Sequence, residues 1–469
     1  MSTEIKVLSH ACLFVKTDSA SIIIDPWLIG SCYWSSWWNF PKPVFDESEI
    51  KNVDAVLISH IHWDHWHGPT LKKFFKDSPV ISCNDPNPRS KRDLKSIGIS
   101  SITNLSHSKS TSVGDIKITF YNFGLFLTDS AIIIEAGGTT ILNANDAKIA
   151  GWPLQAIVNK HGPIDFALRS HSSANARICF EIPSDKQYTN DDREHYFKSF
   201  KLFMDNVQPR FAVPFASNHC HLTDDTYKFN QYISDPIELR NYILENYKNL
   251  AWGLEIMLPG SSWTSDRGFS PASEESFDDK LKTIDTYKES VAHRIEFYAS
   301  RESKIEIDQT LLDRFSKFLR QSNAYPNLKS VRFLITKNNS YSYSFLLKGK
   351  VIEKSCEESD IPTKGCAVIV MPNVVFRDAI IKNMFHHAAI SKRCRYIAYD
   401  HEDMKKLKKF LYKLERHELT GDISVGYIIK LLISYMGRWR ELFVYIYALY
   451  LHKAKGLETY QIEEKVLSK

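Results

Sequence analysis

Residues Ser59–Thr70 read SHIHWDHWHGPT and contain the pattern H-x-H-x-D-H. Its metal-competent side chains are His60, His62, Asp64 and His65. The apolar run Asp54–Ser59 before them has the length of a buried strand, and the Gly-Pro pair after them predicts a helix that begins near Thr70. A loop at the end of a rigid strand can bring imidazoles and a carboxylate to one point, so the stretch predicts a metal site. This donor mixture suits zinc, iron or manganese. A chance cluster among the 17 histidines is the alternative.

The motif SHIHWDHWHG resembles the signature of the metallo-β-lactamase fold superfamily. The resemblance implies an α/β fold, an αββα sandwich with a one- or two-metal site at one edge. By position it implies that His60 and His62 bind the first metal ion and that Asp64 and His65 bind the second, with Asp64 and His65 as the catalytic residues. The motif does not select one reaction, because members include lactonases, phosphodiesterases, phospholipases, nucleases and some redox enzymes.

The resemblance also implies a third metal-binding His in the loop after the strand Gly114–Phe120. Here that loop, Tyr121–Gly124, has no His. This departure puts the first metal position in doubt or requires a substitute. The candidates are His171 and His107, and His107 is expected in a surface loop.

Two further ligands are expected at later strand ends. Asp146 ends the apolar strand Thr139–Asp146 and matches the superfamily's metal-bridging Asp, with a helix-capping Asp as the alternative. The last ligand His follows the strand Phe211–Phe215, where both His219 and His221 qualify. The resemblance does not show which of the two histidines is the ligand.

Two residues near the start of the chain are candidates for supporting roles. Asp25 ends the strand Ser21–Asp25, where the resemblance implies a carboxylate that orients a ligand imidazole. A turn residue before a proline is the alternative. His10 lies in the predicted strand Glu4–Val15 and could approach the site, but a buried core histidine is favoured.

Aromatic side chains are concentrated near the motif and predict the wall of a substrate pocket. They are Trp27, Trp34, Trp37, Trp38, Trp63 and Trp66. Simple loop packing is an equal alternative for the first four, which lie in Pro26–Pro41. Arg169 could pair with an anionic group of the substrate, with a surface salt bridge as the alternative.

The length of 469 residues predicts two domains. We expect a metal-binding catalytic domain at residues 1–265 and a smaller α+β domain of unknown role at 280–469 that ends in helices. A linker rich in Ser, Gly and Asp, Gly260–Asp279, joins them. A net charge of +5 without a dense basic stripe gives no reason to expect nucleic acid as a partner. Scattered cysteines and the absence of a signal-peptide pattern in Met1–Lys6 predict a cytoplasmic protein.

The C-terminal part is predicted to contain strands at Ser330–Thr336, Tyr341–Leu347 and Cys366–Met371 and helices at Lys280–Ser300, Ile307–Gln321, Val374–Ser391, His401–Arg416 and Ser424–His452. Charges interrupt the apolar segment Tyr427–Leu451 and argue against a membrane span. A helix packed on the core or on a second copy is favoured, with membrane-surface contact as the alternative. Adjacent His386 and His387 point to different helix faces and make a poor metal site.

A narrower resemblance joins DPWLIG, the tryptophan-rich loop, NAND and PFASNHCHL. Together they look like the metallo-β-lactamase-like part of the CMP-N-acetylneuraminate hydroxylases. That branch is related to the ascorbate-6-phosphate lactonases and to the phospholipase D that cleaves N-acyl-phosphatidylethanolamine. The hydroxylases also carry a Rieske domain, and this sequence has no C-x-H…C-x-x-H pair for such a cluster.

The leading functional hypothesis is a hydrolase with one or two Zn²⁺ ions acting on a small anionic, sugar-, nucleotide- or lipid-like molecule. The alternative is a di-iron oxygenase that hydroxylates an amino sugar or sugar nucleotide with electrons from a redox partner. A non-catalytic binding scaffold is the third possibility. The sequence does not determine the oligomeric state.

Overall fold

A computed structural model describes residues 2–84, 89–124, 128–172, 176–185, 193–329, 331–337, 340–347, 350–356, 366–421, 425–457 and 459–468. The strands are β1 (Glu4–Val7), β2 (Leu13–Lys16), β3 (Ser21–Ile24), β4 (Ser31–Cys32), β5 (Trp37–Asn39), β6 (Ala55–Ile58), β7 (Val80–Cys83), β8 (Ile102–Leu105), β9 (Ser110–Val113), β10 (Ile116–Phe123), β11 (Asp129–Ala136), β12 (Thr139–Asn145), β13 (Phe166–Ser170), β14 (Phe180–Glu181), β15 (Phe211–Phe215), β16 (His219–His221), β17 (Gly253–Leu254), β18 (Ser262–Thr264), β19 (Gly268–Ser270), β20 (Val331–Lys337), β21 (Ser340–Leu347), β22 (Lys350–Cys356), β23 (Ala367–Pro372) and β24 (Arg395–Ile397).

The helices are α1 (Glu47–Ile50), α2 (Gly68–Phe74), α3 (Arg89–Ser96), α4 (Gly151–His161), α5 (Arg193–Val207), α6 (Pro236–Asn246), α7 (Lys280–Ser290), α8 (Ala292–Glu302), α9 (Gln309–Gln321), α10 (Asn373–Ile381), α11 (Phe385–Ile390), α12 (His401–Thr420), α13 (Val425–Gly437), α14 (Trp439–Lys455) and α15 (Thr459–Leu467).

Two sheets face each other across one apolar core. The first has the order β19-β18-β1-β2-β3-β6-β7-β8 and the second the order β17-β15-β13-β12-β11-β10-β9. Successive side chains of a strand point to opposite faces, and the isoleucines follow this rule. Ile22 and Ile132 lie in the core between the sheets, whereas Ile23 and Ile133 pack outward. Such strands are buried on both faces and read as continuous apolar runs.

Helices cover both outer faces of the sandwich. Leu71 of α2 and Leu94 of α3 pack on the first sheet, and Leu154 of α4 and Phe200 of α5 pack on the second. The predicted αββα sandwich of the metallo-β-lactamase type is therefore confirmed.

A third sheet, in the order β14-β24-β23-β20-β21-β22, forms the centre of the C-terminal α+β part. Helices α9 to α12 pack on it, and Phe315, Phe333 and Leu407 lie in their common core. Each of the two parts, the sandwich and the C-terminal part, receives one segment from the other part's stretch of the sequence. Strand β14 joins the third sheet, and Val466 and Leu467 of α15 enter the core outside the second sheet. The predicted boundary between residues 265 and 280 stays a prediction.

Several element predictions were wrong in detail. The single strand Glu4–Val15 is two strands, β1 and β2, with His10 in the turn between them. The expected linker Gly260–Asp279 contains β18 and β19, because Glu4 pairs with Thr264 and extends the first sheet. The expected helix Ser424–His452 breaks at Arg438 into α13 and α14. Ser330 and Ser424, the first residues of two predicted elements, lie outside the described residues.

In the described part of the chain, no single helix has both the length and the apolar composition to cross a membrane. Helices α12 and α13 meet these criteria only together, and they are bent by 87° relative to each other.

Three strand ends at the same edge of the sandwich have a left-handed backbone. Asp25 after β3 has φ 46°, Asn145 at the end of β12 has φ 46°, and Ala216 after β15 has φ 53°. Non-glycine residues rarely adopt this conformation, and such residues concentrate at functional sites. Sequence patterns did not indicate it.

Candidate metal centre

The metal-motif loop leaves the end of β6 and is fixed at both ends. The Asp25 carboxylate accepts hydrogen bonds from the backbone N–H of Ser59 (2.8 Å) and from its hydroxyl (2.6 Å). At the other end the His67 side chain accepts from the N–H of Thr70 and caps α2. The backbone of the loop is therefore fixed at both ends, and this restricts the positions of its side chains.

One group of donors contains His60, His62 and Asp129, whose ligand atoms lie within 4.8 Å of one another. His60 Nε2 is 2.8 Å from His62 Nδ1. Asp129 begins β11 and lies directly opposite Phe123 of β10. The loop expected at Tyr121–Gly124 is mostly strand, because β10 continues to Phe123. Asp129 thus stands beside the place where the third His was expected and offers a carboxylate instead. Burial and the nearby Asp146 raise the pKa of Asp129 to about 7.

A second group is centred on His65, which is completely buried. Its Nδ1 lies 2.8 Å from Asp25 Oδ2, within hydrogen-bond distance. The orienting role expected of Asp25 stays a prediction. Its Nε2 has no hydrogen-bond partner and lies 3.4 Å from both Asp64 Oδ2 and Asp146 Oδ2. Burial lowers the pKa of His65, but Asp64 and Asp25 outweigh it and hold that pKa well above its usual value.

His10 extends this second group. Its Nε2 lies 3.1 Å from Asp64 Oδ2, and His10, Asp64 and His65 form a further set with ligand atoms within 4.8 Å. The Tyr33 hydroxyl donates to the other carboxylate oxygen of Asp64 at 2.5 Å. His10 is buried, as favoured, and it also approaches the site, the alternative left open by the sequence, because the turn between β1 and β2 carries it there.

These residues fit a divalent metal ion. Burial, followed by the neighbouring His65, lowers the pKa of His60 to about 3, which leaves a neutral imidazole, the form that binds metal ions. The carboxylates of Asp64 and Asp146 favour a positive charge on His65. A divalent ion bound between them would supply positive charge at the same place. Three carboxylates and several imidazoles form a mixed oxygen and nitrogen donor set.

His171, His219 and His221 are buried near this centre but belong to none of the donor groups found among the described residues. Both ring nitrogens of His171 and of His219 lack hydrogen-bond partners. His219 stacks on Trp37 at 3.7 Å between ring centroids, and its ring lies 5.6 Å from that of His10. His221 Nδ1 lies 2.9 Å from the Ser36 carbonyl oxygen. His107 faces the N–H of Asn122 instead (3.1 Å).

Residues 4–153 match the family model described as "Beta-lactamase superfamily domain". The match makes this part of the chain similar to the beta-lactamase superfamily domain. The matched range includes the complete H-x-H-x-D-H motif together with His10, Asp25, Asp129 and Asp146.

Proteins similar to this chain have different names. It is 24% identical over 276 residues to a protein named as a Rieske 2Fe-2S iron-sulfur protein from Mycolicibacterium smegmatis, covering 55% of this chain and 53% of that one. It is 28% identical over 273 residues to the cytidine monophosphate-N-acetylneuraminic acid hydroxylase of Pongo pygmaeus, covering 53% and 44%. The chain thus spans about half the length of the curated relatives it matches. A similar solved structure is Igni18, a metallo hydrolase from Ignicoccus hospitalis (18% identity, 56% and 98% coverage, TM-score 0.40).

The C-terminal part of the chain also places a histidine beside the centre. His62 Nε2 lies 2.8 Å from His386 Nε2 at the start of α11. Beside it, His387 Nε2 lies 3.3 Å from the Ile61 carbonyl oxygen. Sequence reasoning dismissed the pair because adjacent helical residues cannot bind one ion. Each histidine instead contacts the metal loop separately.

A cavity of about 860 Å³ lies beside the metal loop, between the sandwich and helices α8, α10 and α11. Three predicted pocket residues, Trp34, Trp63 and Trp66, line it. Three others, Trp27, Trp37 and Trp38, are almost completely buried and pack within the protein, so loop packing describes them better.

Arg169 is also buried and does not line this cavity. It pairs with Glu463 of α15, donates to the Ser199 hydroxyl at 3.3 Å and lies over the Phe203 ring. The structure therefore places Arg169 in a buried ion pair between the sandwich and α15, rather than beside a substrate.

Proposed function

We propose that this chain is a metal-dependent hydrolase acting on a small anionic, sugar-, nucleotide- or lipid-like molecule. The observation that carries the proposal is the unpartnered Nε2 of His65, which faces Asp64 and Asp146 at 3.4 Å each. His60 belongs both to the donor group of His65 and Asp146 and to that of His62 and Asp129. Shared donors of this kind support two adjacent ions as well as one.

Bound divalent ions would lower the pKa of a water molecule and polarise the substrate oxygen. The protein's own contribution is orientation. Asp25 accepts hydrogen bonds from the loop at Ser59 and faces His65, so the imidazole that carries Nε2 toward the carboxylates is held in place. Tyr33 fixes one oxygen of Asp64 and leaves the other directed at His65.

The adjoining cavity supports the substrate class. Trp34 and Trp63 provide flat apolar walls. Arg301 provides positive charge at the lining, whereas Arg377 and Lys382 both pair there with Asp378. Aromatic faces suit rings or acyl chains, and basic side chains suit phosphate or carboxylate groups. The seven cysteines whose side chains the structure describes form no disulfide bond with one another, which supports a cytoplasmic location.

The test is elemental analysis of the full chain purified without added metal, beside the double variant His62→Ala/Asp64→Ala. One or two zinc ions per chain, lost in the variant, would support the hydrolase and direct phosphodiester and lactone assays. No metal in either protein, even after reconstitution, would overturn the proposal in favour of a binding scaffold.

A di-iron oxygenase is the second candidate, and Asp129 favours it. A carboxylate in place of an imidazole makes the donor set richer in hard oxygen ligands, which suits iron better than zinc. The similarity to a protein named as a hydroxylase agrees with this. Iron in the purified chain with an oxygen-sensitive visible band, and turnover of an amino sugar or sugar nucleotide only with an added electron-donor protein, would establish it.

A further inference from the structure

Helices α13 and α14 carry a large exposed apolar face, which we name the α13–α14 face. Its members are Val425, Ile428, Ile429, Leu432, Ile433, Met436, Trp439, Leu442, Phe443, Ile446, Leu449 and Tyr450, each 39–77% exposed. These are twelve of the nineteen large exposed apolar side chains in the described part of the chain. Isolated exposed apolar residues are ordinary, but so many on two consecutive helices indicate a surface that is covered in use.

The exposure of the α14 side chains does not result from a helix that lacks support. The opposite side of α14 packs into the core outside the second sheet through Val444, Tyr445 and Tyr447. At the break between the helices, Arg438 donates to the Gly124 carbonyl oxygen at 2.7 Å, and Glu441 accepts from the Gly124 N–H at 2.8 Å. The face is therefore held outward by a defined anchor on the sandwich.

Charge distinguishes this face from an ordinary surface. Glu441 is the only acidic residue between Val425 and Lys455, and it is buried in an ion pair with Arg438. The other ionisable side chains of these helices that are charged at neutral pH are all basic: Lys430, Arg440, Lys453 and Lys455. The charge that accompanies the apolar face is thus of one sign.

Aromatic residues lie beside these basic groups. Trp439 contacts Trp152 of α4 edge to face at 5.0 Å between centroids, and the Arg440 guanidinium lies over both rings. Trp152 is itself 47% exposed. Tryptophans and basic side chains around an apolar helix face are typical of proteins that lie in the interface of a bilayer.

We propose that the α13–α14 face docks the protein on a lipid bilayer surface with anionic headgroups. Apolar side chains would enter the boundary of the acyl chains, and the basic residues would meet the headgroups. A second copy of the chain fits this face less well, because a two-fold contact between identical faces brings the same basic residues together. The inference does not depend on which reaction the metal centre performs.

Docking has a geometric consequence for the metal centre. Gly124, which anchors the helices, follows the end of β10, and Asp129 lies opposite Phe123 in the adjacent strand. The α13–α14 face and the Asp129 side of the metal centre are therefore both attached to the hairpin of β10 and β11.

Co-sedimentation of the full chain with vesicles tests the proposal. One set is phosphatidylcholine alone, and the other is phosphatidylcholine mixed with phosphatidylserine. We expect strong binding to the mixed vesicles that weakens as salt is added, since salt screens the basic residues. Leu432→Glu/Ile433→Glu should lower this binding about tenfold or more. The control Leu244→Glu/Leu281→Glu changes two apolar residues of similar exposure on other helices and should bind like the wild type.

A charge variant, Lys430→Glu/Lys453→Glu, should lose the preference for phosphatidylserine. Two results would overturn the proposal. One is a wild-type chain that stays in the supernatant with both vesicles, or binds no better than Leu432→Glu/Ile433→Glu. The other is a wild-type dimer in sedimentation velocity that this variant converts to a monomer, since the face would then serve a second copy. Equal metal content and equal urea midpoints of all variants establish that they fold.

Discussion

The Nε2 atoms of His62 and His386 lie 2.8 Å apart, although 324 positions separate the residues. Glu418 of α12 accepts a hydrogen bond from the backbone N–H of His386 (2.7 Å), and Arg89 of α3 donates to the same carboxylate. His62 Nδ1 faces His60, so its Nε2 is the nitrogen left to be oriented. The C-terminal part thus holds a metal-loop imidazole in the way that outer hydrogen-bond partners hold metal ligands.

Replacing His386 should weaken metal binding. We expect His386→Ala to lower the metal affinity about 10- to 100-fold, the usual effect of losing such a partner. Competition with a chromogenic chelator measures this. His293→Ala removes an exposed imidazole from α8 and should leave the affinity unchanged. An unaltered affinity in His386→Ala would contradict an orienting role.

Asp129 should determine which metal the first donor group prefers. Asp129→His restores an imidazole beside His60 and His62 and should shift the bound metal from iron toward zinc. Asp129→Asn should reduce the metal content of the chain. Elemental analysis after growth with both metals checks each variant, with exposed Asp266→Asn as the control. Identical metal ratios in all four proteins would show that Asp129 binds no metal.

Asp25→Asn should damage the loop frame as well as the metal site. The Asp25 carboxylate accepts from Ser59 and from the Asn145 amide (3.0 Å) and faces His65. An amide retains one acceptor oxygen, so at least one buried group loses its partner, at a cost of about 1–3 kcal/mol in the free energy of unfolding. Urea unfolding measures the change.

The matched control for Asp25→Asn is Asp54→Asn. Asp54 also accepts a backbone N–H at a strand end, from Ser21 at 2.8 Å, but it is exposed. We expect about 0.5 kcal/mol or less there. Equal effects of the two variants would argue against a special role for Asp25.

Two buried carboxylates should make the fold sensitive to acid. Burial raises the pKa of Glu418 and Glu463, but their partners outweigh it and lower both values: His387 and Arg89 for Glu418, Lys148 and Arg169 for Glu463. A lowered folded-state pKa contributes stability above the unfolded value of about 4.3 and loses it as the pH falls through the folded value. The free energy of unfolding should therefore decrease below about pH 4.3.

Glu463→Gln separates this contribution. It leaves Arg169 buried without its charge partner, so we expect a loss of about 3–5 kcal/mol at pH 7 and a smaller further loss at acid pH than in the wild type. Urea titrations at both pH values measure it. Exposed Glu289→Gln should match the wild type at both, and an unchanged acid slope in Glu463→Gln would exclude this ion pair as the cause.

The sequence was sufficient where the signal is local. Apolar runs such as Phe211–Phe215 identified strands, and the H-x-H-x-D-H spacing identified the metal loop, because both depend on neighbouring residues. Asp129 was missed because its position follows from strand pairing: it lies across the β10–β11 hairpin from the place where His was sought. A carboxylate at the start of the partner strand was the available signal.

Other features depend on contacts that no short window contains. His10 reaches the site only because a turn interrupts the predicted strand, and His386 reaches it only because α11 packs against the metal loop. Trp37 looked like a pocket residue, yet it stacks on His219 because β5 pairs with β16.

The return of α15 to the sandwich constrains the order of folding during synthesis. Val466 and Leu467 of α15 complete the core outside the second sheet, and the last strand of that sheet, β17, ends at Leu254. The ribosome must therefore add about 200 residues after β17 before these two side chains are available. At ribosomal rates that interval lasts roughly 10–40 s. Throughout it the apolar groove under α15 stays uncovered and Arg169 lacks Glu463, so the sandwich core is complete only after α15 has been made.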